Sequence, residues 1–229
     1  MNKPEPDDST SIYPIKKAVV AGATGLIGSH LLKLLLADGR YVEIHVPGRR
    51  SPQTNDARVV FHQCDFNDFS TLPVIGIDEV YCALGTTIRK AGSQEAFRAV
   101  DFDAVVNLAQ WAAQVQAGRF VVVSSIGANA ESGNFYLRTK GQMERALKNA
   151  RLNSLIIVRP SMLIGHRNEI RVAEKLGEWM MKPLGWLLIG KLKKYRPIEA
   201  LQVAVAMKSL AESKIGDTYI VESDQLKMC

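Results

Sequence analysis

With 229 residues, of which 47% are hydrophobic, the chain is long enough to bury a complete core, and this composition excludes a disordered or fibrous protein. A formal net charge of +6 admits an anionic ligand, a nucleic acid or a membrane surface, but it says little about the fold. The three cysteines, Cys64, Cys82 and Cys229, show neither a paired framework nor zinc-ligand spacing, so a reduced, cytoplasmic protein is expected.

Residues 1–11 are polar and contain prolines, and they lack the apolar core of a secretory signal. We therefore expect a flexible tail at 1–14 and a single domain at 15–229. The longest apolar stretch, residues 179–189, contains Lys182 and Pro183 and is too short to span a bilayer. The sequence thus predicts a soluble protein without a transmembrane segment.

From residue 18 onward, short β-branched apolar runs alternate with amphipathic stretches of helical length. This alternation predicts an α/β fold, a doubly wound parallel sheet (Rossmann fold) of about seven strands, joined by right-handed crossovers. The helical patterns lie at 26–36, 94–116 and 135–150, and a helix-rich stretch at 165–196 predicts a small lid on the substrate side. The predicted strands are 18–21, 42–46, 59–62, 79–83, 120–124, 155–159 and 218–221.

A glycine-rich loop joins the first predicted strand to the helix at 26–36. Its sequence is Gly22-Ala23-Thr24-Gly25-Leu26-Ile27-Gly28, and the strand–turn–helix context is typical of a dinucleotide loop. Gly22 allows a tight turn, Gly25 lets backbone N–H groups approach a pyrophosphate, and Gly28 lets the helix pack closely on the strand. Free amides and the positive end of the helix dipole would then face the anion. The alternative is a glycine-rich turn with no ligand.

The second predicted strand ends without the acidic residue that usually binds the ribose 2′-hydroxyl in such loops. It ends instead in Val46-Pro47-Gly48-Arg49-Arg50, so a small residue and two guanidinium groups replace the carboxylate. A carboxylate at this place would repel a 2′-phosphate. Arginine binds phosphate in a bidentate manner. The sequence therefore predicts NADP(H) as the cofactor in preference to NAD(H). The alternative is a pair of solvated surface arginines.

Several motifs, in chain order, resemble those of the atypical short-chain dehydrogenase/reductases. The stretches at 82–87, 90–92 and 100–101 are most similar to the Tat-interacting-protein-like oxidoreductase subgroup. The resemblance extends from about residue 17 to residue 221. The motifs are the glycine loop, Cys82-Ala83-Leu84-Gly85-Thr86-Thr87, Lys90-Ala91-Gly92, Val100-Asp101, Val123-Ser124-Ser125-Ile126-Gly127-Ala128, Tyr136-Leu137-Arg138-Thr139-Lys140 and Arg159-Pro160.

The resemblance implies a catalytic set in the second half of the chain. Tyr136 would be the acid/base, Lys140 would also contact the nicotinamide ribose, and Ser125, rather than Ser124, would hold the substrate oxygen. The spacing agrees, because residues four apart share one face of a helix and a nearby ammonium lowers a tyrosine pKa from about 10. The alternative is a chance pair with a packed ring and a solvated amine. Asp101 departs from the family, since many catalytic members have an asparagine there in the proton relay.

Further contacts follow from position. Asp65, just after the third strand, resembles the residue that meets the adenine amino group, and equally fits an N-cap for a short turn at 67–72. Residues at the ends of the fourth and sixth strands border the cofactor crevice, with the last of them near the nicotinamide. They are Leu84, Gly85, Thr86 and Pro160. The histidines show no metal-binding cluster; they are His30, His45, His62 and His166.

Two functions fit these residues. The first is an NADP(H)-dependent oxidoreductase acting on a small-molecule carbonyl or secondary alcohol, which Ser125, Tyr136 and Lys140 favour. The second is a non-catalytic NADP(H)-binding regulator or assembly factor on the same fold, which Asp101 favours. No nucleic-acid motif is present. The basic and apolar segment at 178–196 fits a substrate lid better than a membrane-surface contact. The sequence identifies neither the substrate nor the oligomeric state.

Overall fold

The structure, a computed structural model, describes residues 14–69, 72, 75–164, 194–213 and 216–228. The predicted tail lies outside the described residues except for Pro14, and the predicted lid and the basic, apolar segment lie outside them except for residues 194–196.

A parallel sheet of seven strands forms the centre of the molecule, with the order β3-β2-β1-β4-β5-β6-β9. The order reverses between β1 and β4, which creates the crevice where ligands of such folds bind. This confirms the predicted fold class and all seven predicted strands. The bounds are β1 Lys16–Ala21, β2 Tyr41–Gly48, β3 Val59–Gln63, β4 Glu79–Cys82, β5 Arg119–Val123, β6 Leu155–Arg159 and β9 Thr218–Glu222.

The central strands are buried on both faces, which explains their continuous β-branched sequences. In β1, Val20 points into one apolar core and Val19 into another, and both are fully buried. Helices α1 (Leu26–Leu36) and α6 (Ala200–Glu212) cover the first core, while α4 (Ala104–Gln114) and α5 (Phe135–Lys148) cover the second. No helix within the described ranges is long and apolar enough to cross a membrane.

The helical pattern predicted at 94–116 is interrupted in the structure. Helix α3 (Gln94–Arg98) passes into a π-helical segment, Ala99–Asp103, before α4 begins, so the chain makes one wider turn there. The sequence analysis also missed α6. The remaining elements are α2 Ile88–Ala91, the two short paired strands β7 Leu163–Ile164 and β8 Ile198–Glu199, and a 3₁₀ turn at Gln225–Lys227.

Candidate functional site

A cleft of about 930 Å³ lies at the carboxyl ends of the central strands, over the point where the strand order reverses. Its volume is in the range of cofactor pockets. The topology thus brings together loops that are far apart in the sequence. Every predicted site residue except Gly28 lines the cleft: Gly22, Thr24, Gly25, Leu26, Ile27, Arg49, Arg50, Asp65, Leu84, Gly85, Thr86, Ser125, Tyr136, Lys140 and Pro160.

The glycine loop adopts a turn that requires glycine at its first position. Gly22 has a φ of 84°, and a Cβ there would lie 2.6 Å from the carbonyl oxygen of Ala83 on the neighbouring strand end. The Gly25 N–H donates to the Gly22 carbonyl oxygen at 2.8 Å and closes the turn. Gly28 is absent from the cleft because it packs beneath the loop, where a Cβ would lie 2.1 Å from the Gly22 oxygen.

The loop leaves the start of α1 open to the cleft. Gly25 is the N-cap, and no side chain caps the helix. The first amides of α1 and the positive end of its dipole are therefore available to an anion, with Leu26 and Ile27 both lining the cleft. These features fit the pyrophosphate of a dinucleotide.

The end of β2 adds positive charge to the same cleft. Arg49 and Arg50 are exposed and line the cleft just after Gly48, which is buried. Across from them, Asp65 accepts hydrogen bonds from the backbone N–H and the side-chain amide of Asn67, both at 3.0 Å. These bonds lower the pKa of Asp65 below its usual range. Asp65 therefore closes a local turn and borders the cleft, and its contact with an adenine amino group stays a prediction.

Lys140 and Tyr136 lie on the cleft face of α5. The Lys140 ammonium is buried and pairs with Asp101, with 2.7 Å between Nζ and Oδ1. Burial lowers the pKa of Lys140, but the nearby Asp101 carboxylate and the Tyr136 hydroxyl more than offset this and raise it above its ordinary value. The Tyr136 ring stacks at a tilt on Phe97, with 5.6 Å between ring centroids. The amine is thus not solvated, in contrast to the chance-pair alternative.

Asp101 reaches Lys140 from the π-helical segment. Its other carboxylate oxygen accepts a hydrogen bond from the Thr86 backbone N–H at 2.8 Å, so the side chain joins Lys140 to the loop after β4. Only 2% of the Asp101 side chain is exposed. The structure therefore places an ion pair where the family resemblance led us to consider a proton relay.

The two neighbouring serines have different environments. The Ser124 hydroxyl is buried and donates to a Glu144 carboxylate oxygen at 2.5 Å. Ser125 is half-buried in the cleft, and within the described part of the chain its hydroxyl makes one long bond, of 3.3 Å, to the Ile126 carbonyl oxygen. Of the two, Ser125 has the hydroxyl that is free to meet a ligand.

The sequence analysis missed the role of Glu144. Glu144 accepts two further bonds from the Arg159 guanidinium at 2.9 and 2.5 Å, and Arg159 also pairs with Glu222 at 2.9 Å. The residue lies one helical turn after Lys140, so the spacing of Tyr136, Lys140 and Glu144 on one face was the available signal. This network ties α5 to the ends of β5 and β6, which support the cleft.

Comparisons with known proteins identify the family to which the chain is similar. The NAD dependent epimerase/dehydratase family matches residues 18–197. The mitochondrial protein FMP52 of Coccidioides immitis (strain RS) is 32% identical over 215 residues, which cover 87% of each chain. FMP52 of Candida albicans is 30% identical over 208 residues, covering 86% of this chain and 88% of the relative. Because both relatives are named mitochondrial proteins, the expectation of a cytoplasmic protein, drawn from cysteine content alone, is wrong.

Solved structures share the fold. MoeE5 in complex with UDP-glucose and NAD superposes with a TM-score of 0.66 and 17% identity, covering 90% of this chain and 74% of MoeE5. The Bordetella bronchiseptica enzyme WbmH in complex with NAD+ gives a TM-score of 0.68 and 16% identity, covering 91% and 76%. At these identities the likeness shows the fold alone.

Proposed function

This chain belongs to the NAD dependent epimerase/dehydratase family, a branch of the short-chain dehydrogenase/reductases, and on that premise we propose that it is an NADP(H)-dependent oxidoreductase acting on a carbonyl or secondary alcohol. One observation carries the proposal. Ser125, Tyr136 and Lys140 line the same cleft as the uncapped start of α1, so proton-transfer groups and an anion-binding helix end share one ligand space.

Each residue has a definite part in this proposal. The bound cofactor supplies or accepts the hydride. The Ser125 hydroxyl holds the substrate oxygen, and the Tyr136 hydroxyl donates a proton to that oxygen in reduction and recovers it in oxidation. The Lys140 ammonium stabilises the phenolate of Tyr136 and donates to the ribose. The amides of the glycine loop and α1 fix the pyrophosphate.

The preference for NADP(H) is supported by Arg49 and Arg50, which are exposed at the mouth of the cleft. MoeE5 and WbmH hold NAD in their structures. Each is below 20% identical to this chain, so their cofactor does not decide whether this chain binds a 2′-hydroxyl or a 2′-phosphate. A guanidinium pair at the end of β2 favours a 2′-phosphate over a 2′-hydroxyl by charge and by bidentate geometry.

A first experiment is native mass spectrometry of the purified protein to identify the nucleotide that copurifies, followed by NADPH and NADH oxidation with a panel of aldehydes and ketones. The proposal predicts bound NADP(H) and NADPH-dependent turnover of at least one carbonyl class. Failure to bind either nucleotide would overturn it.

A second candidate is a non-catalytic NADP(H)-binding regulator, which the ion pair of Asp101 with Lys140 favours because it occupies part of the ammonium's hydrogen-bonding capacity. The same panel separates the two. Tight NADPH binding without turnover of any substrate supports the regulator, whereas turnover that depends on Tyr136 supports the enzyme.

A further inference from the structure

Among the residues that the structure describes, Asp101 is the carboxylate that pairs with the buried ammonium of Lys140. Its side chain is 4% exposed and that of Asp101 is 2% exposed, with Nζ and Oδ1 2.7 Å apart. Three titratable groups act on the ammonium: Asp101 from the π-helical segment, Tyr136 from α5 and Cys82 from β4. Burial raises the pKa of the Cys82 thiol to about 12, so this thiol stays neutral. Asp101 is therefore the carboxylate that balances the ammonium charge.

The fold is shaped around this contact. The π-helical turn at Ala99–Asp103 shifts the helical register so that Asp101 is buried while Asp103 is exposed. A Cβ at Gly85 would lie 3.4 Å from Asp101 Oδ1, so the loop after β4 packs close to the carboxylate. The Thr86 N–H then fixes the second oxygen at 2.8 Å. The loop after β4 and helix α5, which bears Lys140, thus both contact the carboxylate that the π-helical segment carries.

We propose that Asp101 is a positioning residue that keeps Lys140 charged and fixed in the cleft, so that Lys140 acts as a permanent cation toward the nucleotide and Tyr136. A buried ammonium without a counter-ion loses its proton at a lower pH, and an uncharged amine loses much of its attraction for a ribose oxygen and a phenolate. The inference rests on the proposed function in one respect, that Lys140 faces a nucleotide.

Asp101→Asn removes the charge and leaves the size unchanged. The asparagine amide has a donor on one side, so it cannot accept hydrogen bonds from the Thr86 N–H and the Lys140 ammonium with separate oxygens, as the carboxylate does. Asp103→Asn is the matched control, because it makes the same change two residues away on an exposed side chain of the same segment.

The first measurement is the affinity for NADPH, which fluorescence titration gives at about pH 7 and at about pH 9.5. Both pH values lie below the ordinary lysine pKa of about 10.4. The wild-type protein and Asp103→Asn should bind almost equally well at both values, because Lys140 stays charged. Asp101→Asn should bind about tenfold more weakly at the higher pH, since burial then lowers the Lys140 pKa with no carboxylate to oppose it. Wild-type affinity in Asp101→Asn at both pH values would overturn the proposal.

The second measurement needs no nucleotide and keeps the test valid if the proposed function fails. Thermal unfolding of Asp101→Asn should show a loss of stability from the unpaired Lys140 charge, and adding Lys140→Met should restore part of that loss. A merely misfolded segment would gain nothing from the second substitution. If the double variant is no more stable than Asp101→Asn, the unpaired charge is not the cause and the proposal falls. If the wild-type protein binds no nucleotide but the double variant shows this rescue, only the proposed function is excluded.

Discussion

The Ser124 hydroxyl lies 2.5 Å from a carboxylate oxygen of Glu144, and both side chains are buried. Ser124 directly follows β5 at the cleft, whereas Glu144 lies one turn beyond Lys140 on α5. The bond therefore connects the loop that bears Ser125 to the helix that bears Tyr136 and Lys140. Proton transfer needs these groups to keep a fixed separation, so this buried contact links the stability of the fold to the geometry of the site.

Glu144→Ala should destabilise the protein strongly. The substitution leaves the Ser124 hydroxyl without its acceptor and removes one of the two carboxylates that pair with Arg159. Loss of hydrogen bonds to a buried charge costs on the order of 2–3 kcal/mol, which denaturant unfolding measures directly. Glu131→Ala is the control, because Glu131 pairs with Arg145 on the open surface and such pairs contribute little. Equal losses in the two variants would contradict the role given to Glu144.

Most of the fold could be predicted from the sequence because its periodicity is local. All seven strands were placed within about two residues, since parallel strands buried on both faces have continuous apolar sequences. The site followed from topology, because loops after parallel strands meet at one edge of the sheet. The π-helical turn was missed because residues 94–116 keep an unbroken amphipathic pattern through it. The turn brings Asp101 into contact with Lys140, 39 positions away, and no local pattern reveals such a contact.

Arg49→Ala should remove most of the preference for NADPH over NADH. A charge-assisted hydrogen bond to the 2′-phosphate is worth about 1.5–3 kcal/mol, so NADPH affinity should fall about tenfold or more while NADH affinity changes little. Fluorescence titration with both nucleotides gives the ratio. Arg145→Ala removes an exposed arginine on α5 and should leave the ratio unchanged. Equal affinity of the wild-type protein for the two nucleotides would exclude a role of Arg49 in cofactor choice.

Gly25→Val should abolish nucleotide binding in a folded protein. Gly25 lines the cleft at the start of α1, and a branched side chain there would occupy the space in which a pyrophosphate must reach the backbone amides. NADPH should then no longer raise the melting temperature, although the circular dichroism spectrum remains native. Gly39→Ala is a suitable control, because a Cβ at Gly39 meets nothing within 4 Å. A normal NADPH shift in Gly25→Val would show that the nucleotide binds elsewhere.

Asp38 should make the free energy of unfolding depend on pH in the acid range. Its carboxylate accepts from Arg40 and pairs with Lys208 on α6 at 2.8 Å, and these contacts lower its pKa well below the ordinary value of 3.8. A depressed pKa in the folded state gives stability that is complete above the unfolded pKa and is lost as the pH falls through the folded one. The difference in unfolding free energy between wild type and Asp38→Asn should therefore shrink from about pH 5 to about pH 2. A difference that stays constant from about pH 5 to about pH 2 would contradict this role of Asp38.

Tyr136→Phe and Lys140→Met should separate proton transfer from cofactor binding. Tyr136→Phe removes only the hydroxyl, and the ring keeps its contact with Phe97, so NADPH affinity should persist while turnover falls by about a hundredfold or more. Lys140→Met removes a buried cation that lies beside Tyr136 and that we propose contacts the nucleotide, so affinity and turnover should fall together.

Two controls make the comparison decisive. Tyr219→Phe, on the exposed edge strand β9, removes a tyrosine hydroxyl far from the cleft and should leave turnover unchanged.

Lys140→Met also leaves the Asp101 carboxylate unpaired, so its melting temperature must be compared with that of Lys140→Met combined with Asp101→Asn, in which neither charge of the pair is left alone. If the double variant recovers stability without recovering NADPH affinity, the weaker binding comes from the missing ammonium itself, whereas recovery of both would assign the defect to the unpaired carboxylate. Turnover that survives Tyr136→Phe unchanged would mean that another group transfers the proton.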